Sequence, residues 1–237
     1  MKPVLQLGAV LLTLAGQIVQ AQTPTPPAGA AAPAMNPGEK PVGESKPASS
    51  NVAGQAYPQI DSELRGTFRV NAPNAQRVGV HVDHADYEMK KGADGNWMVT
   101  SKPLAPGFHY YNLFIDGVNV ADPASESYFG ISKMSSGIEV PSAGEDFYHV
   151  KDVPHGVIRS EWFYSKITAS SRHYFVYTPP DYEKSARKRY PVVFLQHGGG
   201  EDERGWAIQG RVNFILDNLI AEGKARPMIV VMANSSA

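Results

Sequence analysis

Eight consecutive residues carry the types and spacing that could do chemistry. Gln196-His197-Gly198-Gly199-Gly200-Glu201-Asp202-Glu203 follows directly on the apolar run Tyr190-Pro191-Val192-Val193-Phe194-Leu195. Glycines without Cβ let backbone N–H groups come close to a bound carbonyl oxygen and adopt dihedrals closed to other residues. Donors aimed where negative charge develops in a tetrahedral intermediate lower the barrier by about 3 kcal/mol each. A phosphate cradle, another use of a glycine run, would continue with Lys and then Ser or Thr. Three acids follow here instead, so the alternatives are an oxyanion loop and a plain tight turn.

Such a loop must be held by regular elements on both sides. Tyr190 to Leu195 is apolar without polar alternation, the pattern of a strand buried on both faces. Beyond the loop, Val212, Ile215, Leu216, Leu219 and Ile220 recur at helical spacing, and Gly223 with Pro227 supplies the stop. Met228 to Met232 reads as another buried strand, and Arg172 to Tyr177, closed by Thr178-Pro179-Pro180, as one more. Strand, loop, helix, strand predicts a parallel crossover unit, with the glycines at the carboxyl end of its first strand.

Tyr57 to about Phe147 has a different character. Val78, Val80 and Val82 alternate with Gly79 and His81, and the turn pairs Asp94-Gly95 and Asp116-Gly117 separate short runs. Several short strands at this spacing predict a β-sandwich. Trp97, Tyr110 and Tyr111 are open between core positions and an aromatic platform for a sugar. His81, Asp83 and His84 invite a metal reading, but on a strand His81 and Asp83 share one face and His84 takes the other, so no metal site is expected.

Upstream, Lys2, the apolar run Val4 to Leu14 and the small-residue stretch ending at Ala21 read as a cleaved signal peptide over residues 1–21. The run is too short to cross ~30 Å of hydrocarbon, so export to the periplasm or the medium is expected. Residues 22–56 are Pro, Ala, Gly and Ser with almost no large apolar side chain, which predicts an extended mobile linker. Lys plus Arg (22) nearly cancel Asp plus Glu (23), leaving no field to attract nucleic acid or an anionic membrane. The absence of cysteine excludes disulfides, thiolate zinc sites and a cysteine nucleophile.

Two resemblances bear on these elements. Phe68 to Ala75, Val78 to Val82, Gly95-Asn96-Trp97, Gly107-Phe108-His109-Tyr110, Ile115-Asp116-Gly117 and Asp122-Pro123 together resemble the early-set immunoglobulin-like module. That module precedes the catalytic domain in glycogen-branching enzymes, enterochelin esterases and many bacterial feruloyl esterases. Tyr190 through Asn234 resembles feruloyl esterases of carbohydrate esterase family one through His197-Gly198-Gly199-Gly200, Asp202-Glu203, Gly205-Trp206, Gly210-Arg211 and Leu216 to Lys224. The approach to it, Val153-Pro154-His155-Gly156 and Val176 to Tyr182, resembles the same family.

The resemblance implies an immunoglobulin-like β-sandwich over residues 57–150, followed by the N-terminal part of an α/β-hydrolase over 151–237. It implies a secreted serine esterase releasing ferulate from arabinoxylan, needing no cofactor and no metal. The substrate would be a polysaccharide or a small ester, with neither nucleic acid nor stable membrane association. His197, Gly198, Gly199 and Gly200 would form the oxyanion loop, His197 orienting it, because the triad order of that fold places the base downstream of the serine. Trp206 would wall an acyl pocket or pack the start of the helix. Asp202, with Glu203, would bond a sugar hydroxyl or serve the helix N-terminus as capping and dipole partners.

None of the Ser/Asp/His triad is expected within these residues. No serine stands in G-x-S-x-G; Gly43-Glu44-Ser45-Lys46-Pro47 and Gly130-Ile131-Ser132-Lys133-Met134 both lack the second glycine. Relative to the family the chain is therefore expected to be C-terminally truncated and inactive by itself. The rival expectation is a non-catalytic carbohydrate-binding protein; within the same architecture, acetylxylan and enterochelin esterases are the alternatives.

Overall fold

The computed structural model describes residues 35–184 and 187–235. The expected signal peptide and the first part of the expected linker lie outside the described residues. The first strands are β1 (Lys46–Pro47), β2 (Gln59–Ile60), β3 (Arg65–Asn71), β4 (Val78–Val82), β5 (Ala85–Glu88), β6 (Lys90–Lys91) and β7 (Asn96–Pro103). They are followed by β8 (Gly107–Ile115), β9 (Val118–Val120), β10 (Ser127–Gly130) and β11 (Lys133–Val140). The last elements are β12 (Val157–Ser165), β13 (Ser170–Thr178), a short 3-10 turn (Tyr182–Lys184), β14 (Val192–Phe194), α1 (Val212–Ala221) and β15 (Ile229–Ala233). The chain is thus mostly β-sheet, and among the described residues no helix is long and apolar enough to cross a membrane.

Strands β1 to β11 form a five-stranded sheet (β1-β2-β3-β7-β6) and a six-stranded sheet (β10-β11-β8-β4-β5, with β9 on β8). One apolar core joins both: Phe68, Val70 and Val99 from the first meet Val78, Val80, Val82, Tyr111, Leu113 and Ile138 from the second. The period-two alternation of β4 is what puts its three valines there, all fully buried, while His81 faces out. Trp97 and Tyr111, open between core and sugar platform, are both buried; the Trp97 indole N–H donates to Ala72 O at 2.9 Å and the Tyr111 hydroxyl to Asp122 Oδ2 at 2.9 Å.

The hairpins close on positive φ. Asp116 (φ 49°) and Gly117 (φ 86°) make the expected tight turn between β8 and β9. Asp83 (φ 49°) and His84 (φ 60°) likewise form the turn after β4, so these two residues lie beyond the strand on which they were expected. At the β10–β11 turn the two corner residues are Ile131 (φ 53°) and Ser132 (φ 60°). A β-branched residue there is a true outlier, because its side chain crowds the backbone in the left-handed region.

The expected mobile linker needs correction in its second half. Residues 35–56 lie along the two-sheet region: Asn36 exchanges backbone bonds with Asp86 and Glu88, β1 pairs antiparallel with β2, and Ala48 and Ser50 are buried. The anchoring uses backbone groups and small side chains, which leave no apolar period in the sequence.

Strands β12 to β15 form the remaining sheet, in the order β12-β13-β15-β14. Strand β14 pairs parallel with β15, and α1 connects them, as the crossover pattern predicts. Its apolar stripe packs with Tyr177, Val230 and Met232. Strand β14 itself departs from expectation: it is an edge strand, as β12 is at the other side, and Val192, Val193 and Phe194 are exposed. An uninterrupted apolar run shows that a strand could be covered on both faces; it does not say that these elements cover it.

Candidate functional site: the glycine loop and its supports

The loop Gln196–Gly200 leaves the carboxyl end of β14, and one of its glycines, Gly200, is required by geometry. Gly200 has φ +76°, and a Cβ there would sit 3.0 Å from Ser132 N and 3.2 Å from Ile131 Cα. Gly199 opens on free space. The Gly198 N–H donates to Glu201 Oε2 at 3.1 Å, whereas among the described residues the N–H groups of Gly199 and Gly200 have no acceptor. Two adjacent unspent amide donors beside open space can hold an anionic or polarised carbonyl oxygen.

His197 points both ring nitrogens back into the chain. With Nδ1 2.8 Å from Gly198 O, the proton resides on Nδ1, leaving Nε2 to accept from Ser235 N (3.2 Å) and Ser235 Oγ (3.0 Å). The ring thereby fixes the loop to the end of β15. Trp206 donates its indole N–H to Gln196 O at 2.7 Å. It holds the start of the loop and does not line the pocket.

That pocket is an open hollow of about 490 Å³, and its walls include Phe129, Ser132, Gly199, Gly200, Asp202 and Asn234. Asp202 is held by Arg204, whose Nε reaches both carboxylate oxygens at 3.0 and 2.9 Å. Burial raises the Asp202 pKa, but the bonds from Arg204 more than offset it, and the carboxyl stays below the usual aspartate range. The capping reading of Asp202 and Glu203 needs correction. Helix α1 begins at Val212 with Arg211 at its N-cap and has no side-chain cap bond; the turns between Gly205 and Gly210 intervene and carry both acids away from the helix end.

Glu203 instead closes a partly buried chain of hydrogen bonds that no local motif announced. His173 Nδ1 stands 2.5 Å from Glu203 Oε1, Ser160 Oγ stands 2.6 Å from His173 Nε2, and Asn234 Nδ2 donates to Glu203 Oε2 at 2.7 Å. Desolvation alone would raise the Glu203 pKa; the bonds from His173, its own backbone and Asn234 outweigh it and hold the carboxyl below the ordinary glutamate range. The connectivity is that of a serine–histidine–acid triad. Yet Ser160 stands in mid-strand of β12, not on a turn beside free amide donors, and neither it nor His173 lines the glycine pocket. The chain serves as a brace joining β12, β13, β15 and the loop.

A second brace is Asp217 of α1, almost fully buried. It accepts from Tyr177 Oη (2.6 Å) and Gly156 N (2.9 Å) through Oδ1 and meets His155 Nδ1 (2.9 Å) through Oδ2. The Val153–Gly156 approach is thereby tied to β13 and to the helix behind the loop.

The third support comes from the two-sheet region. Ser132 N–H donates to Gly200 O at 2.7 Å. Tyr110 Oη donates to Glu201 Oε1 at 2.6 Å, and Gln209 Nε2 donates to Tyr110 Oη (2.5 Å) and Phe129 O (3.2 Å). Burial, and then the bond to Glu201, keeps the Tyr110 phenol far above its usual pKa, so it acts as a fixed donor. Arg204 stacks over the Phe129 ring at 4.9 Å, and Arg211 pairs with Glu139 at 2.6 Å. Among the described residues no three His, Cys, Asp or Glu side chains gather as metal ligands.

The glycine loop thus follows an edge strand, feeds a crossover helix, and has two amide donors without an acceptor among the described residues. Residues 165–236 match the family model described as a putative esterase. The esterase-matched segment therefore contains β13, β14, the glycine loop, α1 and β15. The chain is also 43% identical over 202 residues to an endo-1,4-beta-xylanase/feruloyl esterase of Xylanibacter ruminicola, covering 82% of this chain and 28% of that protein. It thus spans little more than a quarter of that curated relative's length. Among solved structures, the enterobactin esterase of Shigella flexneri superposes with a TM-score of 0.56 at 17% identity, covering 73% of this chain and 51% of that one. The ferric enterobactin esterase of Salmonella typhimurium gives 0.53 at 15% identity, covering 75% and 55%. These two likenesses speak for the fold alone, and they extend beyond the esterase-matched segment into the two-sheet region.

Proposed function

We propose that these residues form the oxyanion-stabilising part of an exported serine carboxylic-ester hydrolase that releases ferulate from arabinoxylan. The observation that carries the reading is the pair of N–H donors on Gly199 and Gly200, without an acceptor among the described residues, in a loop that follows β14 and lines an open pocket. The identity to a protein named for xylanase and feruloyl esterase activity supports the acyl group and the polymer. In the proposed reaction a serine oxygen attacks the ester carbonyl, whose oxygen takes the negative charge. The two amides stabilise that charge, the alcohol departs, and water releases the acid. No serine of the chain stands in G-x-S-x-G, so nucleophile, acid and base are not assigned to residues here. His197 is read as the orienting residue of the loop, since both its nitrogens are committed. The two-sheet region is read as an immunoglobulin-like module and residues 1–21 as the export signal.

The rival reading, a carbohydrate-binding protein with an aromatic platform, is disfavoured by the burial of Trp97 and Tyr111. Titration of the chain with methyl ferulate, followed through the amide resonances of Gly199 and Gly200, tests the proposal. Saturable shifts at both are expected. Their absence at millimolar ester, with the fold intact, sinks it.

A further inference from the structure

Ser132 lies far from the esterase-matched segment in sequence, yet it lines the glycine pocket together with Phe129. Both belong to the β10–β11 hairpin, which enters the site as a foreign wall: its tip bonds Gly200 O, and its Phe129 ring lies under the Arg204 guanidinium. The backbone of the tip is also strained, with Ile131 and Ser132 in a turn that Asn and Gly would fill without cost. Strain of this kind persists where surrounding contacts hold it, and it collects at functional positions.

The walls indicate which end of an ester they face. Pockets for flat aromatic groups are predominantly apolar. This one offers one aromatic ring among a serine hydroxyl, glycine amides, His197 and two acids. A ring beside hydrogen-bonding groups suits a sugar, which presents C–H groups on one face and hydroxyls around its edge. We infer that the hairpin of the two-sheet region is a specificity-determining wall for the alcohol side of the ester, with Phe129 packing on the sugar ring and Ser132 Oγ bonding one of its hydroxyls. The inference rests on the proposed ester-binding role of the glycine loop. It assigns the two-sheet region a direct part in substrate selection, distinct from its support of the loop through Tyr110 and Gln209.

The experiment compares two probes, methyl ferulate and feruloyl-arabinose, by isothermal titration and by the Gly199 and Gly200 amide shifts. The full chain should bind the sugar ester about 3- to 10-fold more tightly than the methyl ester, the size of one or two polar and stacking contacts. Phe129→Ala should weaken feruloyl-arabinose about 3- to 10-fold more than methyl ferulate, so that the preference is lost, and Phe129→Tyr should restore it. The double variant Ile131→Asn/Ser132→Gly keeps the turn in a favoured conformation. It should unfold no earlier than the parent on heating, yet lose part of the sugar preference. Equal weakening of both probes would show a merely structural hairpin, and an unchanged preference in the variants would remove the hairpin from the site; either result overturns the inference. Methyl ferulate that still shifts Gly199 and Gly200 while the parent shows no sugar preference also overturns it and leaves the ester reading standing. If neither ester moves those amides, the ester reading fails, and this inference fails with it.

Discussion

The two parts of the molecule reach order by different physics. The two-sheet region closes a core of its own, with Phe68, Val78, Val80, Val82, Tyr111, Leu113 and Ile138 withdrawn from solvent. Among the described residues, the apolar core around the four-stranded sheet is the smaller cluster of Tyr177, Val212, Val230 and Met232, while Trp162 is 69% and Phe194 78% exposed. It compensates with polar braces: Glu203 beneath the loop, Asp217 behind it, and the hairpin docked against Gly200. Apolar burial is non-directional and tolerates small shifts, whereas hydrogen bonds fix distance and angle. The glycine loop, proposed above to hold the oxyanion, lies in the region held by hydrogen bonds.

The contrast can be broken most forcefully in the core. Phe68→Ala should cost about 3–5 kcal/mol in urea unfolding, because it empties a site at the contact of both sheets. If the loss is under a kilocalorie, the first region does not depend on its core as described. Next is Asp217→Ala, which strands Tyr177 Oη and Gly156 N in a buried setting. It should cost about 2–3 kcal/mol and speed amide exchange at Gly156, with the core amides of Val80 and Leu113 unaffected.

Glu203→Gln should cost about 1–2 kcal/mol by removing a charge-assisted bond, and its signature is the pH dependence. The Glu203 pKa is lowered by folding. Its stabilisation is thus fully present above the ordinary glutamate pKa of about 4.3 and is lost as pH falls through the lower folded value. Amide exchange around the glycine loop should accelerate across that acid range in the parent, and Glu203→Gln should flatten the response. A smaller effect of opposite sign is expected from Ile131→Asn, which relieves the left-handed isoleucine by about 1 kcal/mol and raises Tm by about 2–4 °C. Smallest of all, Phe194→Lys should change stability by no more than about 0.5 kcal/mol while reducing self-association seen by light scattering. A large loss there would mean that β14 is part of a core after all.

Legibility from sequence follows the same division. Regular periods gave away β4, α1 and the parallel crossover, because burial of alternate or helically spaced apolar residues writes itself into residue order. The glycine loop was legible for a related reason, since Gly200 occupies a backbone conformation and a tight approach that exclude a Cβ. The exposure of β14 was not, because an apolar run carries no record of which neighbours cover it. Long-range polar pairs were equally silent: His173 and Glu203 are thirty residues apart, and nothing local marks them as partners. The Gly130-Ile131-Ser132 segment was set aside for lacking a second glycine, although its turn meets the glycine loop. Residues 35–56 were misread because backbone pairing and buried Ala48 and Ser50 look like linker composition.

The bond from Ser132 N–H to Gly200 O has one more consequence. It makes the joint between the two regions and the shape of the pocket a single equilibrium, so a ligand that tightens one must tighten the other by the same free energy. Pulled apart from its two ends, the chain should resist separation of hairpin and loop more strongly when the pocket is filled, and an occupied site would register as a mechanical clasp.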